Sequence, residues 1–305
     1  MSVELNFIKN SLDDFFQLAE SGVDPAMSRF VPDVYKAIGF DWFAFFEPGF
    51  GQFFNGLMIR GGENVSKIFC SVFPTEEVLD IFIEKSQPGD LLFLHHPITM
   101  ECGDPRGKAG RGFLPIPISQ LERIKSKGLS IYSCHAPLDA NREIGTNEAI
   151  IQALSAKTIG EFLPYGDGYA GRICEITPLS TIDLINKLLK IFHIPYVDES
   201  VRRLDKISRI AIVAGSGDNI EYFQEAEARG AQAYIAGEIH SHIDNEKGRT
   251  RLAEAQAYIA QSPMSFIGVS HAASEYLVME TQMRDFFQDR FGLETVMIPL
   301  PKWWI

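Results

Sequence analysis

The amino-acid sequence predicts an α/β protein in which two similar α/β units face one shared site. Two observations support this fold class. From residue 66 onward, short β-branched runs alternate with longer amphipathic patterns, which is the order of strands and helices in α/β folds. The second half of the chain also repeats the motif order of the first. At 305 residues the chain is long enough for two units with cores of their own.

Residues 1–60 precede this alternation, and we expect them to form a helix followed by an aromatic arm. Apolar residues between positions 3 and 20 recur at steps of three and four, which indicates an amphipathic helix. The following stretch is rich in Phe, Gly and Pro and includes the run FFEPGFGQFFNG. It is therefore predicted to be irregular, as a packing surface or an oligomer surface.

Residues 61–160 are predicted to form the first α/β repeat. Its strands are expected at KIFCSVF, DLLFLHH and LSIYSCHA, and its helices at TEEVLDIFIEK, QLERIKSKG and TNEAIIQAL. A loop rich in glycine and basic residues, 103–112, interrupts this order. Residues 161–205 are less clearly patterned and are predicted to connect the two repeats.

Residues 206–305 are predicted to form the second repeat. SRIAIVAG corresponds to SKIFCSVF, AQAYIAGEIHSH to GDLLFLHHP, and MSFIGVSHAASE to LSIYSCHAPLD. His135 and His271 are each followed by Ala and each precede an acid by four positions, Asp139 or Glu275, at a common offset of 136 residues. An internal duplication explains this pattern. Chance similarity between two strand-to-helix units stays open at this level.

The charge and the cysteine content narrow the class of protein. A formal net charge of -12 without a dense Lys/Arg stripe makes nucleic acid and anionic lipid unfavourable partners. No apolar run reaches membrane-spanning length, and the N-terminus lacks the pattern of a signal peptide, so we expect a cytoplasmic protein. The four cysteines form no C-x-x-C pair and are predicted to be reduced core thiols.

Six of the seven histidines fall in short segments at predicted strand ends, where α/β folds place their ligands: His95, His96, His135, His240, His242 and His271. The seventh, His193, is expected to have a structural role.

His95 and His96 end an apolar strand, so their side chains point to opposite faces unless the strand bends. Two ions could take one histidine each, and Pro97 favours a bend.

His271 and Glu275 lie one helical turn apart, and Glu275 is the candidate for bridging two ions. We expect Pro137 to prevent a regular helix between His135 and Asp139. Imidazoles with carboxylates suit Zn, Fe, Mn, Co or Ni, and such ions activate water for hydrolysis.

Several further residues have open roles. Glu238, His240 and His242 could support the metal ligands, shuttle protons or form a polar loop, and His135 is a further candidate for acid–base work. The basic residues of loop 103–112, namely Arg106, Lys108 and Arg111, could receive a phosphate, but the P-loop pattern is absent and a surface loop is the favoured interpretation. Cys134 beside His135 lacks a third group to complete a Cys/His nucleophile.

The motifs LHHPI, SCHAPLD, AGEIHSH and SHAASE, in this order, resemble the GTP cyclohydrolase I type 2 homologue family, also called the Nif-three-like family. The resemblance implies intertwined α/β repeats with mixed sheets flanked by helices, a dinuclear site between them, and often a ring-shaped homohexamer. It places two divalent ions per subunit on five ligands, which are His95, His96, Asp139, His271 and Glu275. The usual polar residues of the rim are replaced by Ala136 and Pro137, and Ser270 and Ala272 also depart from the family pattern. The substrate of the family therefore cannot be assigned to this chain from the resemblance.

These features favour a metal-dependent hydrolase or cyclohydrolase acting on a small molecule, with a nucleotide-like substrate as one option. Two alternatives stay open at the level of the sequence. One is a non-catalytic protein that binds or handles metal, and the other is a regulatory scaffold that uses the aromatic arm for contacts.

Overall fold

The computed structural model describes residues 2–166 and 168–305. The described residues form fourteen α-helices and one π-helical segment, Met279–Met283. In chain order the α-helices are α1 (Leu5–Phe15), α2 (Leu18–Ser21), α3 (Met27–Ala37), α4 (Trp42–Phe45), α5 (Pro48–Phe53), α6 (Glu76–Lys85), α7 (Ile118–Ser126), α8 (Ala136–Ala140), α9 (Thr146–Leu154), α10 (Thr181–Ile191), α11 (Ile220–Ala228), α12 (Glu246–Ile259), α13 (His271–Val278) and α14 (Arg284–Phe291).

Fifteen strands are found in the same described part of the chain. They are β1 (Val3–Glu4), β2 (Gly56–Ile59), β3 (Asn64–Val65), β4 (Lys67–Ser71), β5 (Leu91–Leu94), β6 (Thr99–Glu101), β7 (Gly112–Leu114), β8 (Ser130–Ser133), β9 (Lys157–Tyr165), β10 (Gly168–Leu179), β11 (Asp198–Ser200), β12 (Ile207–Ser216), β13 (Ala233–Glu238), β14 (Ser265–Gly268) and β15 (Glu294–Met297).

The strands build two large mixed sheets and two small ones. The first sheet has the order β15-β4-β5-β8-β2, and the second has the order β11-β14-β13-β12-β10-β9. Strands β1 and β3 form one antiparallel pair, and β6 and β7 form another. The predicted α/β class with mixed sheets flanked by helices is confirmed.

Each large sheet contains the same parallel unit of three strands. In the first sheet Ile68 aligns with Leu91, which aligns with Ser130. In the second sheet Ile210, Ala233 and Ser265 align in the same way. These units are the segments that the sequence pairs as repeats. The chain also returns from the second unit to the first, because β15 pairs in parallel with β4. The predicted boundaries at residues 60, 160 and 205 stay predictions.

Burial on both faces explains why the central strands have continuous apolar sequences. All residues of Leu91–Leu94 and of Ala233–Glu238 are buried, as parallel strands covered by helices require. Buried histidines follow the carboxyl ends of both strands, namely His95 and His96 after the first and His240 after the second. No helix among the described residues combines the length and the apolar character needed to cross a bilayer.

The aromatic arm is more regular than the sequence predicts. Helix α3 occupies Met27–Ala37 and buries Met27, Val31 and Tyr35 along one face. Pro32 lies inside this helix, and it obscured the four-residue spacing of those apolar positions. The prediction of an irregular arm was wrong for this segment, because burial of one helical face outweighs the hydrogen bond that proline removes.

Arg172 joins β10 to the helices that carry the site. Its side chain is 1% exposed, and its Nε donates to Glu148 Oε1 of α9 at 2.9 Å. Its Nη2 donates to the carbonyl oxygen of Ala140 at 3.4 Å, at the end of α8. A buried guanidinium is tolerated because the Glu148 carboxylate and the Ala140 carbonyl oxygen accept its hydrogen bonds.

We expect Arg172→Met to lower the free energy of unfolding by about 3–5 kcal/mol, because the change leaves the Glu148 carboxylate without its cation. Urea denaturation measures the loss. Arg142→Met is the matched control, since Arg142 is 69% exposed where it pairs with Glu161, and removal of a surface pair costs at most about 1 kcal/mol. Equal small losses in both variants would contradict the structural role of Arg172.

Candidate metal centre

The site lies where strands of both large sheets end. His95 and His96 directly follow β5. His135 precedes α8, which carries Asp139, and α13 begins at His271 and carries Glu275. Helix α13 packs against β12, β13 and α9. The structure therefore brings together the five predicted ligands and His135 at the interface between the two repeats.

Glu275 occupies the centre of this cluster. Its Oε1 lies 3.4 Å from His95 Nε2 and 3.0 Å from His271 Nε2. Its Oε2 lies 3.0 Å from His96 Nε2. Asp139 Oδ1 approaches His95 Nε2 at 3.4 Å from the other side. Oε1 thus faces two imidazoles and Oε2 faces a third, so both oxygens of this carboxylate lie close to nitrogen atoms that could bind a metal.

A hydrogen bond on the far side fixes the orientation of three imidazoles. His95 Nδ1 donates to the carbonyl oxygen of Cys134 at 2.9 Å. His271 Nδ1 donates to Glu238 Oε2 at 2.8 Å, and His135 Nδ1 donates to Asp24 Oδ2 at 2.9 Å. Each bond keeps a proton on Nδ1 and so makes Nε2 the atom that could bind a metal, as is usual for histidines that bind metal.

The donor atoms of the cluster fit a metal ion. The Nε2 atoms of His95 and His271 are buried and make no hydrogen bond. Both atoms face the Glu275 carboxylate, and a proton or a metal ion must lie between each nitrogen and the carboxylate oxygen, since two acceptors repel. For ligand bonds of ~2.1 Å, neighbouring donor atoms are about 3.0–3.4 Å apart, which is the separation found here. The buried His, Asp and Glu residues therefore form groups that could hold a metal ion.

The electrostatic environment sets the protonation of each group in the cluster. Burial lowers the pKa of His95 and of His271, but Glu275 and other neighbours outweigh it, so the pKa of His95 is raised to about 9 and that of His271 well above its ordinary value. A metal ion that binds these two imidazoles therefore displaces a proton. Burial raises the pKa of Glu275, but His271, His95 and His96 together outweigh it, and the pKa lies well below its ordinary value. Burial lowers the pKa of His96 well below its ordinary value. Glu275 is accordingly ionised and His96 neutral, which leaves both with lone pairs available for a metal.

The backbone makes room for Glu275. Gly215, the last residue but one of β12, has a left-handed φ of +70°, and a Cβ there would overlap Glu275 Oε1. Ser270 also has a positive φ, 76°, and its Oγ accepts a hydrogen bond from Ala273 N to begin α13. The turn that orients His271 therefore depends on an unusual backbone conformation.

Sequence reasoning missed three residues that touch the cluster. Asp24 comes from the loop before α3, and it accepts bonds from His135 Nδ1 and from the backbone N–H of Ala136 and Met27. Thr146 Oγ1 donates to Asp139 Oδ1 at 2.9 Å. Cys102 lies within 4.8 Å of donor atoms of Glu238 and His271. No local pattern marks Asp24 or Cys102, because both reach the site only through the fold.

One other prediction for the site needs correction, and the structure bears on two interpretations that the sequence left open or disfavoured. Residues Ala136–Ala140 form a short helix despite Pro137, since a proline is tolerated in the first helical turn. His240 and His242 do not join the groups around Glu275 in the described structure; they contact Asp198 instead. Glu238, the last residue of β13, contacts the predicted ligand His271. Burial raises the pKa of the Cys134 thiol well above its ordinary value, so Cys134 is unsuited to act as a nucleophile.

The basic glycine loop lies on the surface, as predicted. Arg111 pairs with Glu101, and the Arg106 guanidinium lies 4.2 Å from the ring centroid of Tyr196. Both cations therefore already have partners. Binding of phosphate by this loop stays a prediction.

A cavity of about 710 Å³ opens onto the cluster. Its inner end is formed by His96, His135, Asp139, His271 and Glu275. Aromatic side chains line its walls, namely Phe30, Phe113, Tyr165 and Tyr222. Charged side chains of both signs also line it, including Arg29, Lys247, Arg251, Asp218 and Glu254. The space is large enough for a small organic molecule.

The sequence of the chain matches the model of one protein family across most of its length. That family is described as Duf34/NIF3 (NGG1p interacting factor 3), and the match covers residues 54–302. The chain belongs to the Duf34/NIF3 family. The resemblance seen in the four sequence motifs is thereby confirmed.

Curated relatives support this membership. A protein of Pyrococcus horikoshii named GTP cyclohydrolase 1 type 2 homolog is 30% identical over 252 residues, covering 81% of this chain and 89% of the relative. A Yersinia pestis protein of the same name is 24% identical over 251 residues, with the same coverage of 81% and 89%. Both alignments therefore cover most of this Duf34/NIF3 chain and most of each relative.

Solved structures show the same fold. Staphylococcus aureus protein SA1388 matches with a TM-score of 0.65 and 17% identity, covering 99% of each chain. Reduced HcgD from Methanocaldococcus jannaschii matches with a TM-score of 0.63 and 15% identity, covering 98% of this chain and 99% of the other. At these identities the similarity concerns the fold alone.

We expect Gly215→Ala to weaken metal binding by at least about tenfold, because the added methyl group displaces Glu275. Elemental analysis after dialysis measures the retained metal. Gly128→Ala is the control, since Gly128 has a similar φ of +67° but no atom within 4 Å of the added Cβ. Equal metal content in the two variants would contradict the placement of Glu275 against this glycine.

Proposed function

We propose that this Duf34/NIF3 protein is a metal-dependent hydrolase and that its metal centre binds two divalent ions. A cyclohydrolase reaction is one form that the hydrolysis could take. One observation carries the proposal. Two of the overlapping groups that the donor atoms form are His95–Asp139–Glu275 and His96–His271–Glu275, and Glu275 is the member that these two share. A bridging carboxylate between two sets of ligands is the usual construction of a dinuclear site. The donor set suits Zn, Fe, Mn, Co or Ni.

When bound, two such ions lower the pKa of a water molecule and polarise a substrate oxygen, which is the chemistry of hydrolysis. The protein holds their ligands rigidly. Thr146 orients Asp139, Glu238 orients His271, and the Cys134 carbonyl orients His95. Because the ligands are buried and already oriented, little reorganisation is needed on binding.

His135 is the proposed acid–base residue. Its Nδ1 is fixed by Asp24, and its Nε2 lies 3.9 Å from Asp139 Oδ2 at the inner end of the cavity. An imidazole held by a buried carboxylate can accept a proton on Nε2 and return it to a leaving group. Asp24 stabilises the protonated imidazole, because it is 1% exposed and ionised.

The proposed substrate is a small molecule with a flat ring. The aromatic walls can pack against such a ring, and the cations beside them can meet an anionic group. The name of the relatives, GTP cyclohydrolase 1 type 2 homolog, makes nucleotides the first compounds to test.

The proposal also includes assembly into a homo-oligomer, which the family resemblance suggests is a homohexamer, and a location in the cytoplasm. Sedimentation analysis tests the assembly.

We expect protein purified without added metal to contain about two transition-metal ions per chain, and Glu275→Gln to retain less than about a tenth of that amount. The amide preserves the shape of the side chain but removes the bridging charge. Elemental analysis provides the measurement, and Asp285→Asn, which alters an acid whose side chain is 70% exposed, is the control. A wild-type protein that holds no metal and takes up none would refute the dinuclear centre.

We expect His135→Gln to keep its metal and to lose turnover by about 10²–10⁴-fold, the usual contribution of one acid–base group. A panel of nucleotides with the native metal provides the assay, and His193→Asn, at an exposed histidine, is the control. Loss of metal together with activity would make His135 a ligand instead. Full metal content without turnover on any compound would favour the non-catalytic alternative.

A further inference from the structure

A second cluster of side chains able to bind metal lies outside the Glu275 centre. Its members are Asp198, His240 and His242. Asp198 begins β11 at the edge of the second sheet, where it aligns with Gly268 of β14, and the two histidines follow β13. In the described part of the chain, this cluster shares no member with the groups around Glu275.

One carboxylate oxygen meets both imidazoles. His240 Nδ1 and His242 Nε2 each lie 3.0 Å from Asp198 Oδ2. The three donor atoms all lie within 4.8 Å of one another. Two imidazoles and one carboxylate are a frequent donor set for Zn²⁺, and they also suit Fe(II), Co(II) and Ni(II).

The charge around Asp198 favours a cation. Its side chain is only 12% exposed, and its ion pairs among the described residues are those with the two histidines. No Lys or Arg of the described residues forms an ion pair with Asp198, so the charge that compensates this carboxylate must come from the histidines or from a metal ion.

The position of the cluster in the fold matches that of the first centre. β5 and β13 are the central strands of the two parallel units, and histidines lie within four residues after the end of each. The first repeat contributes His95 and His96 to the Glu275 centre from this position. In the second repeat the corresponding segment turns toward the sheet edge, and Asp198 supplies the carboxylate there.

We infer that Asp198, His240 and His242 bind one divalent transition-metal ion, separate from the Glu275 centre. Three protein ligands leave at least one position for water or an external ligand. The competing interpretation is that Asp198 only accepts two hydrogen bonds, since 3.0 Å also fits such bonds. This site does not depend on the proposed hydrolase function.

Titration of metal-depleted protein with Zn²⁺ tests the inference. We expect His242→Asn and Asp198→Asn each to bind about one Zn²⁺ fewer per chain than the control His193→Asn, by calorimetry and elemental analysis. Asp198→Asn preserves the side-chain volume, and His242 is 21% exposed, so both variants should fold; circular dichroism verifies this.

Glu275→Gln separates the two sites. We expect this variant to keep the ion that Asp198, His240 and His242 bind, even if the first centre loses its metal or proves inactive. The inference is overturned if folded His242→Asn and Asp198→Asn bind as much Zn²⁺ as the control. It is overturned as well if either variant loses all metal, because the cluster would then act only as support for the first centre.

Discussion

The arrangement of the site depends on one buried carboxylate. Glu275 is 2% exposed and faces three imidazoles at 3.0 to 3.4 Å. An ionised group at this depth is stable only if every lone pair meets a positive charge, a proton donor or a metal. Neither repeat alone supplies enough partners, because His95 and His96 come from the first and His271 from the second. The two repeats must therefore pack together for Glu275 to be accommodated.

The backbone meets this requirement at several points. Gly215 leaves the space into which the carboxylate extends, and the left-handed Ser270 sets the start of the helix that carries it. Arg172 ties the helices beneath Asp139 and Thr146 to the second sheet. These residues bind no ligand themselves, yet each restricts where a ligand atom can lie. The rigidity of the centre is thus a property of the interface between the repeats.

The sequence predicts much of the candidate site where its members lie close together along the chain. The four-residue step from His271 to Glu275 places both on one helical face, and the adjacent His95 and His96 end an apolar strand. Asp24 could not be predicted, since it lies 111 residues from His135 and only folding joins them. His240 and His242 show the converse: their spacing was informative, but their partner Asp198 lies on an edge strand with no distinguishing pattern.

By itself, the sequence determined the α/β class, the repeated strand order and the residue types of the centre, because alternation and helical spacing are local properties of the chain. Only the tertiary structure decided which histidines share a carboxylate, since that depends on how two sheets and one helix pack. It also decided the conformation of the aromatic arm, where burial of a helical face prevails over an internal proline. Contacts between distant segments are set by packing and register, which no local pattern records.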